Sequence, residues 1–265
     1  MTPRGTASWS PATAAMGTEL LKLRRGTTIR LCTVLLVLLV PFSCIGAVAL
    51  ARAPNLPGVT AAKFAPYAVG DLATTHLQVL GQLLSIAVLL AGGFGCAWSF
   101  GREFTDGTIG ALAGLPVGRG TLALAKGLVL AGWLACCVSA SAVVTIALSL
   151  AAGGHPSPES WRAAVLAWAV GLLAVGLCLP FGWVASVTRS QLGTIGVLIA
   201  VVMLTQIVVT LGMGGWFPYA VPSLASGMGG TEAAQLGPAS FVLTISMAPL
   251  GLGAVGMLWS RLDQT

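Results

Sequence analysis

The chain has 265 residues, of which 56% are hydrophobic and only 8% are charged. Because soluble domains carry about 25% charged residues, this composition excludes an ordinary soluble protein and indicates a membrane protein. The net charge of +6 does not indicate a nucleic-acid partner, because the basic residues flank apolar segments and are not interleaved with aromatic residues.

The N-terminal part divides into two segments. Residues 1–16 are small and polar, which predicts a disordered leader. Residues 17–30 alternate apolar and basic residues at helical spacing, so that Leu20, Leu21 and Leu23 can face lipid while the basic side chains reach headgroups. This pattern predicts a short interfacial amphipathic helix. A simple basic flank to the first span is the alternative.

Six apolar runs are long enough to cross a bilayer, since about 20 residues at 1.5 Å each span a hydrocarbon core of about 30 Å. The predicted spans are Leu31–Ala51, Leu77–Phe100, Leu128–Ala152, Ala163–Val187, Thr194–Met213 and Phe241–Trp259. The predicted fold class is therefore all-α, with a six-span domain over residues 31–265. A cleavable signal peptide is the alternative for the first run, but that run is longer than such segments usually are.

The distribution of Lys and Arg predicts that both termini lie in the cytoplasm. In that orientation ten basic residues are internal: Arg4, Lys22, Arg24, Arg25, Arg30, Arg102, Arg119, Lys126, Arg189 and Arg261. Three are external: Arg52, Lys63 and Arg162. The excess on one side follows the positive-inside rule, and the opposite orientation would invert it.

The connections between spans differ in character. Residues 52–76 are expected to form a polar external loop and residues 153–160 a short external turn, whereas residues 188–193 form a tight internal turn. Residues 214–238 contain aromatic residues, prolines and a glycine-rich stretch, and are too broken to span. Either a re-entrant helix or an aromatic-anchored loop at the outer boundary fits that segment.

No catalytic pattern is present in the sequence. The six cysteines lie in apolar stretches and are expected to be buried, without disulfide or metal-ligand spacing. His76 and His155 are expected to be isolated polar residues at the outer boundary. No phosphate-binding Gly-x-x-x-x-Gly-Lys-Ser/Thr motif occurs, so any ATP dependence must come from a second polypeptide. We expect no metal or other cofactor on this chain.

The segment over residues 101–127 is the longest internal connection. A short helix is expected from Gly107 to Leu115, with Pro116 ending it. Ile109 and Leu112 lie three residues apart and share a face of that helix, while its other side chains are mostly small. Such a helix suits insertion into a groove of a partner protein. A solvated loop is the alternative.

This segment resembles the signature of ABC-2-type permeases. In that family a Glu-containing turn is followed by a Gly-Thr pair, a short coupling helix, a Pro-x-x-Arg-like turn and a Lys that opens the third span. The corresponding elements here are Glu103, Gly107 with Thr108, Ile109–Leu115, Pro116 with Arg119, and Lys126. The leader over Glu19–Arg25 is similar to that of bacitracin- and lantibiotic-immunity permeases.

The resemblance implies a non-catalytic permease subunit of a bacterial plasma-membrane exporter. A separate ABC ATP-binding subunit would use ATP and Mg²⁺, a second permease copy, identical or different, would complete the pore, and the cargo would be hydrophobic or amphipathic, such as an antibiotic. The residues expected to form the coupling and docking site are Arg102, Glu103, Asp106, Gly107, Thr108, Ile109, Leu112, Leu115, Pro116, Arg119 and Lys126.

Polar residues inside the predicted spans have two interpretations. Gln78 and Gln82 share a face of the second span, and Gln206 lies in the fifth. They either form structural hydrogen bonds between helices or line a substrate path. An ion-coupled secondary transporter and a membrane enzyme or assembly factor are the alternative functions. The lack of mid-span carboxylates counts against ion coupling.

Overall fold

The computed structural model describes residues 11–53, 58–107, 117–228 and 236–261. Within these ranges the regular elements are helices, and no strand occurs. Six helices there are long and apolar enough to cross a membrane: span 1 (Thr27–Ala51), span 2 (Leu72–Thr105), span 3 (Arg119–Ala151), span 4 (Pro158–Thr188), span 5 (Gln191–Thr210) and span 6 (Pro238–Arg261). The predicted all-α, six-span fold is confirmed.

In the described part of the chain, three shorter α-helices accompany the spans: a leading helix (Pro11–Arg25), a loop helix (Gly58–Ala68) and a short helix (Val221–Ala225). The spans alternate in direction, so the bundle has two ends. We call the end formed by Arg25, Arg102, Arg119 and Arg189 the basic end. We call the end formed by Ala51, Leu72, Ala151 and Pro158 the far end.

The N-terminal segment differs from expectation. Residues 11–16, expected to be disordered, are helical, because Pro11 opens the leading helix and an alanine-rich turn continues it. The helix then ends at Arg25, since Gly26 has an extended backbone. A Cβ at Gly26 would lie 2.8 Å from the Trp98 ring, so this position requires glycine. The expected helix over 17–30 is therefore split between the leading helix and span 1.

Side-chain caps decide where several spans begin. Asp71 accepts a hydrogen bond from the Thr74 backbone N–H and starts span 2, so the expected loop over 52–76 also contains the loop helix and the first turn of that span. Ser157 and Ser160 form a reciprocal capping box at the start of span 4.

The tight turn expected over residues 188–193 is present. Arg189 adopts a left-handed conformation at φ 49° after span 4, and Ser190 caps span 5 by accepting from the Gly193 N–H. The segment after span 5 contains a short 3₁₀ turn (Gly214–Trp216) and then the short helix. Residues 229–235 of the expected outer segment over 214–238 lie outside the described ranges.

Spans 2 and 4 form the centre of the bundle. Their helices approach closely through small residues: a Cβ at Gly81 would lie 3.3 Å from the Ala167 Cα, and one at Gly92 would overlap the Cys178 Sγ. Small residues at such contacts let backbones pack where lipid offers no hydrophobic driving force. Spans 5 and 6 are far less buried and present exposed apolar faces.

Span 6 is fitted to a break in span 4. Helical hydrogen bonding in span 4 is interrupted at Leu179, because Pro180 has no backbone N–H. Gly251 of span 6 packs directly on this break, and a Cβ there would lie 2.5 Å from the Pro180 nitrogen.

Two predictions about individual side chains need correction. Five cysteines are buried as expected, but Cys136 is exposed on span 3. His76, expected to be an interfacial residue, is 2% exposed. Its Nδ1 lies 2.9 Å from the Ser149 Oγ, which joins spans 2 and 3 near the far end.

Candidate coupling site

Four ionised side chains meet at the basic end, and we call them the ion cluster: Glu19, Lys22, Glu103 and Lys126. The Lys126 Nζ lies 2.9 Å from the Glu19 Oε2 and 2.6 Å from the Glu103 Oε1. The Lys22 Nζ lies 2.8 Å from the Glu19 Oε1 and 3.5 Å from the Glu103 Oε1. Two carboxylates and two ammonium groups make the cluster electrically neutral.

Three members of the ion cluster are buried. The Lys126 side chain is 2% exposed, and those of Glu19 and Glu103 are 5% and 9% exposed, whereas Lys22 is 51% exposed. Removing one partner from a buried ion pair strands the other charge and typically costs about 3–5 kcal/mol. The buried members therefore depend on one another.

The half-exposed lysine is held in its charged form. Burial lowers the pKa of Lys22, but hydrogen bonding and the negative charge of Glu19, together with those of Glu103, outweigh burial and raise this pKa above 10.5. Since the pKa of Lys22 is higher in the folded state than in the unfolded state, the charged lysine contributes its full stabilisation of the fold below pH 10.5. It is lost as the pH rises through the raised pKa.

The leading helix presents these charges because of its residue spacing. Ala15, Glu19 and Leu23 lie four residues apart and are all buried, so they form one inward face. Leu20 and Leu21 are exposed on the other side, as expected for residues facing lipid. The expectation that Leu23 also faces lipid is wrong.

The ion cluster connects the leading helix to both sides of the loop over residues 106–118. Glu103 lies in the last turn of span 2, just before the loop. Lys126 lies two turns into span 3, just after it. Its Nζ also lies 3.4 Å from the Ser99 carbonyl oxygen, to which it donates. Charged contacts therefore join the leading helix to the segments on both sides of the loop.

Four other predicted coupling residues, Arg102, Asp106, Gly107 and Arg119, lie at the same end of the bundle. The Arg102 Nε donates to the Asp106 Oδ2 at 2.8 Å, and its guanidinium lies 5.7 Å from the Trp98 ring centre. Asp106 ends span 2, and Gly107 turns away from it with φ at +65°. Arg119 opens span 3.

The remaining predicted coupling residues are Thr108, Ile109, Leu112, Leu115 and Pro116. They lie outside the described ranges, so the expected coupling helix stays a prediction.

An aromatic contact not expected from the sequence holds the end of span 6 at this site. The fully buried Trp259 ring packs edge-on against Phe100 and Phe104, with ring centres 5.9 and 6.0 Å apart. Its Nε1 donates to the Ser186 Oγ at 2.8 Å. Spans 2, 4 and 6 are thereby fixed together beside the loop.

The sequence predicted a shared site for Glu103 and Lys126, which the ion cluster brings together, but it assigned Lys22 to the lipid headgroups and gave Glu19 no partner. A usable signal was present. Glu19 and Lys22 lie three residues apart on one helix, which is the spacing of an intrahelical ion pair. A lysine inside the third apolar helix also needs a carboxylate partner, since an unpaired charge is costly there.

The three glutamines proposed for a substrate path lie in different environments. The Gln82 Oε1 accepts a hydrogen bond from the Tyr67 hydroxyl of the loop helix at 2.7 Å. Gln78 lines a cavity of about 330 Å³ between spans 2 and 4 at the far end, together with Glu159 and Arg162. Gln206 is exposed on span 5. Their role in transport stays a prediction.

Six helices of the described ranges that are long and apolar enough to cross a bilayer define a multi-pass membrane protein. The chain belongs to the ABC-2 transporter family, because the family model described as "ABC-2 family transporter protein" matches residues 15–207. The match includes all four residues of the ion cluster. Membership makes the chain an ABC transporter permease subunit, a class that works with an ATP-binding subunit. A comparison with curated proteins finds no match.

Proposed function

We propose that this chain is the permease of an ATP-driven exporter in the bacterial plasma membrane, with both termini in the cytoplasm. The loop over residues 106–118 docks on a separate ABC ATP-binding subunit, which uses ATP and Mg²⁺. The ion cluster carries this proposal, since Glu103 and Lys126 bind the two sides of the loop to the leading helix. Movement of the docked loop is passed to the bundle through these contacts.

The burial of these charges supports a role of the ion cluster in transmitting movement of the loop better than a role in stability alone. Well-packed apolar residues often stabilise a fold as much as a buried ion pair does, because desolvation offsets the charge attraction. Ion pairs do, however, fix one register between elements. A loop that transmits force needs a fixed register at its base, and the cluster supplies it between the leading helix, span 2 and span 3.

The proposed cargo is a hydrophobic or amphipathic compound, with peptide antibiotics as the class to test first. The resemblance of the leader to immunity permeases supports this choice. A second permease copy, identical or different, completes the export path. The exposed apolar faces of spans 5 and 6 provide surface for such pairing.

Docking is tested by purifying the tagged full chain from its native membranes and assaying Mg²⁺-dependent ATP hydrolysis. We expect an ATP-binding subunit to co-purify and Ile109→Asp to reduce the recovered ATPase activity more than tenfold, because a charge on the predicted docking face opposes burial in the partner. Val69→Asp is the matched control, since Val69 is an exposed apolar residue outside the spans at the far end. Equal ATPase recovery with both variants would refute docking by the loop.

The orientation has its own test. Thr108→Cys and Ala152→Cys are labelled with a membrane-impermeant maleimide in intact cells and in inverted vesicles, with the unsubstituted chain giving the background of native cysteines. We expect Thr108→Cys to react only in inverted vesicles and Ala152→Cys, at the exposed end of span 3, only in intact cells. The reverse labelling pattern would place the loop outside the cell, where it could not reach a cytoplasmic ATP-binding subunit.

A further inference from the structure

A long groove lies between the leading helix, span 1 and span 3, and the proposed coupling does not involve it. Its volume is about 700 Å³. The leading helix forms one wall, the residues around Ile29–Val34 form another, and Leu128–Cys136 form the third. Since eight residues of helix rise about 12 Å, the groove extends well along span 3. Two of its three walls are membrane spans.

The floor of the groove is apolar and offers no polar group that lacks a partner. The Trp133 Nε1 donates to the Thr33 Oγ1 at 2.9 Å, and that hydroxyl donates in turn to the Ile29 carbonyl oxygen at 2.8 Å. Leu20, Leu128 and Val34 around the groove are large apolar residues with exposed surface. A polar solute would gain nothing on this floor, whereas a hydrocarbon chain fits it.

The mouth of the groove is basic. Arg24 and Arg30 both line it, and the Arg30 Nε donates to the Arg24 carbonyl oxygen at 3.1 Å, which holds the second guanidinium beside the end of the leading helix. The lining, over the described part of the chain, contains no carboxylate. Glu19, the acidic residue nearest in the leading helix, is engaged by Lys22 and Lys126. The two guanidinium groups therefore favour an anion, and Arg binds phosphate well.

We propose that this groove binds one anionic glycerophospholipid. The phosphate contacts Arg24 and Arg30, and an acyl chain lies along Gly132 and Trp133. The order of groups supports this occupant: the cations lie at the basic end, where headgroups are found, and the apolar floor extends from there along the spans. Basic pockets between spans are known to favour anionic headgroups. A lipid bound here would contact both the leading helix and span 3 and would hold the two beside each other.

The charge requirement is tested by quenching of Trp133 fluorescence in detergent micelles containing phosphatidylglycerol or phosphatidylcholine with brominated acyl chains. The Trp133 signal is the difference between the unsubstituted full chain and Trp133→Phe. We expect saturable quenching with about 25-fold preference for phosphatidylglycerol, at about fivefold for each guanidinium. Arg24→Gln with Arg30→Gln removes the preference. Arg25→Gln, an exposed neighbour that does not line the groove, keeps it.

The acyl position is tested by filling the groove. Nothing lies within 4 Å of a Cβ at Gly132, so the side chain of Gly132→Leu can start into the groove that this residue lines, and we expect it to abolish saturable quenching by both lipids. Gly196→Leu on span 5, where a Cβ also meets nothing within 4 Å, is the matched control and keeps the quenching.

Three results would overturn the proposal: equal quenching by the two lipids, unchanged preference in the double Arg variant, or Trp133 shielded from both lipids. The last would mean that protein, such as a second copy of the chain, covers the groove. ATPase recovery is not part of these measurements, so the lipid site and the exporter proposal fail independently.

Discussion

At the basic end, buried ionised side chains join the leading helix to spans 2 and 3, whereas at the far end hydrogen-bonded contacts join or cap the spans. Those far-end contacts are His76 with Ser149, Asp71 with Thr74, and the capping box of Ser157 with Ser160. An uncharged buried hydrogen bond contributes about 1 kcal/mol net. A buried charge that loses its partner costs several times as much. The two ends should therefore respond very differently to single substitutions.

The two kinds of contact perform different tasks. At the far end, caps fix where spans 2 and 4 begin, which requires only local bonds. At the basic end, the proposed docking of the loop over residues 106–118 requires a base that holds the leading helix, span 2 and span 3 in one register. Charge pairs supply this selectivity because wrong pairings leave a buried charge unmatched.

The largest expected effect is that of Lys126→Met, which leaves Glu19 and Glu103 buried with only the half-exposed Lys22. We expect the free energy of unfolding to fall by about 3–5 kcal/mol, measured by equilibrium unfolding in a fixed detergent. Adding Glu103→Gln to this variant should restore part of the loss, because one stranded charge is removed.

Arg162→Met is the control for Lys126→Met, since Arg162 is an exposed basic residue at the far end. We expect its effect to stay below about 1 kcal/mol. Equal effects of the two substitutions would mean that the ion cluster is no more important than a surface charge, and the contrast between the ends would disappear.

At the far end, the expected effect of Ser149→Ala is smaller. The His76 ring nitrogen loses its partner in a buried setting, which should lower the free energy of unfolding by about 1–3 kcal/mol. The same unfolding measurement applies. Ser246→Ala is the control, because Ser246 is partly exposed and its hydroxyl donates to the Leu243 carbonyl oxygen of its own helix. A loss as large as that of Lys126→Met would contradict the ranking.

The smallest expected effect is that of Asp71→Ala, which removes the cap of span 2 at a cost of about 1 kcal/mol. The backbone N–H of Thr74 and its hydroxyl lower the pKa of Asp71 below 3.8. Since the pKa of Asp71 is lower in the folded state than in the unfolded state, the ionised carboxylate contributes its full stabilisation of the fold above pH 3.8. It is lost as the pH falls through the folded pKa.

The pH dependence provides the measurement for Asp71. The difference in free energy of unfolding between the unsubstituted chain and Asp71→Ala should be constant from pH 5 to 7 and shrink below pH 3.8. Asp71→Asn retains a capping oxygen and should lose less stability while removing the pH dependence. A difference that persists at the lowest pH would rule out the carboxylate as the cap.

Local sequence patterns account for the spans and their caps but not for the N-terminal helix. Span lengths follow from apolar runs, and Ser190 after the left-handed Arg189 gives the turn before span 5. The sequence predicted disorder over residues 11–16, where the leading helix begins, because short runs of small polar residues are typical of disordered segments. Its buried face becomes visible only when Ala15 and Glu19 are packed against span 3.

The sequence by itself determined an all-α chain with six spans, and its motif spacing predicted Glu103 and Lys126 as coupling residues, since hydropathy and motif spacing are local properties. Only the tertiary structure decided that Glu19 of the leading helix is the second buried partner of Lys126. The two residues are 107 positions apart. No local pattern records which distant carboxylate will neutralise a buried lysine, because that choice depends on how the helices pack.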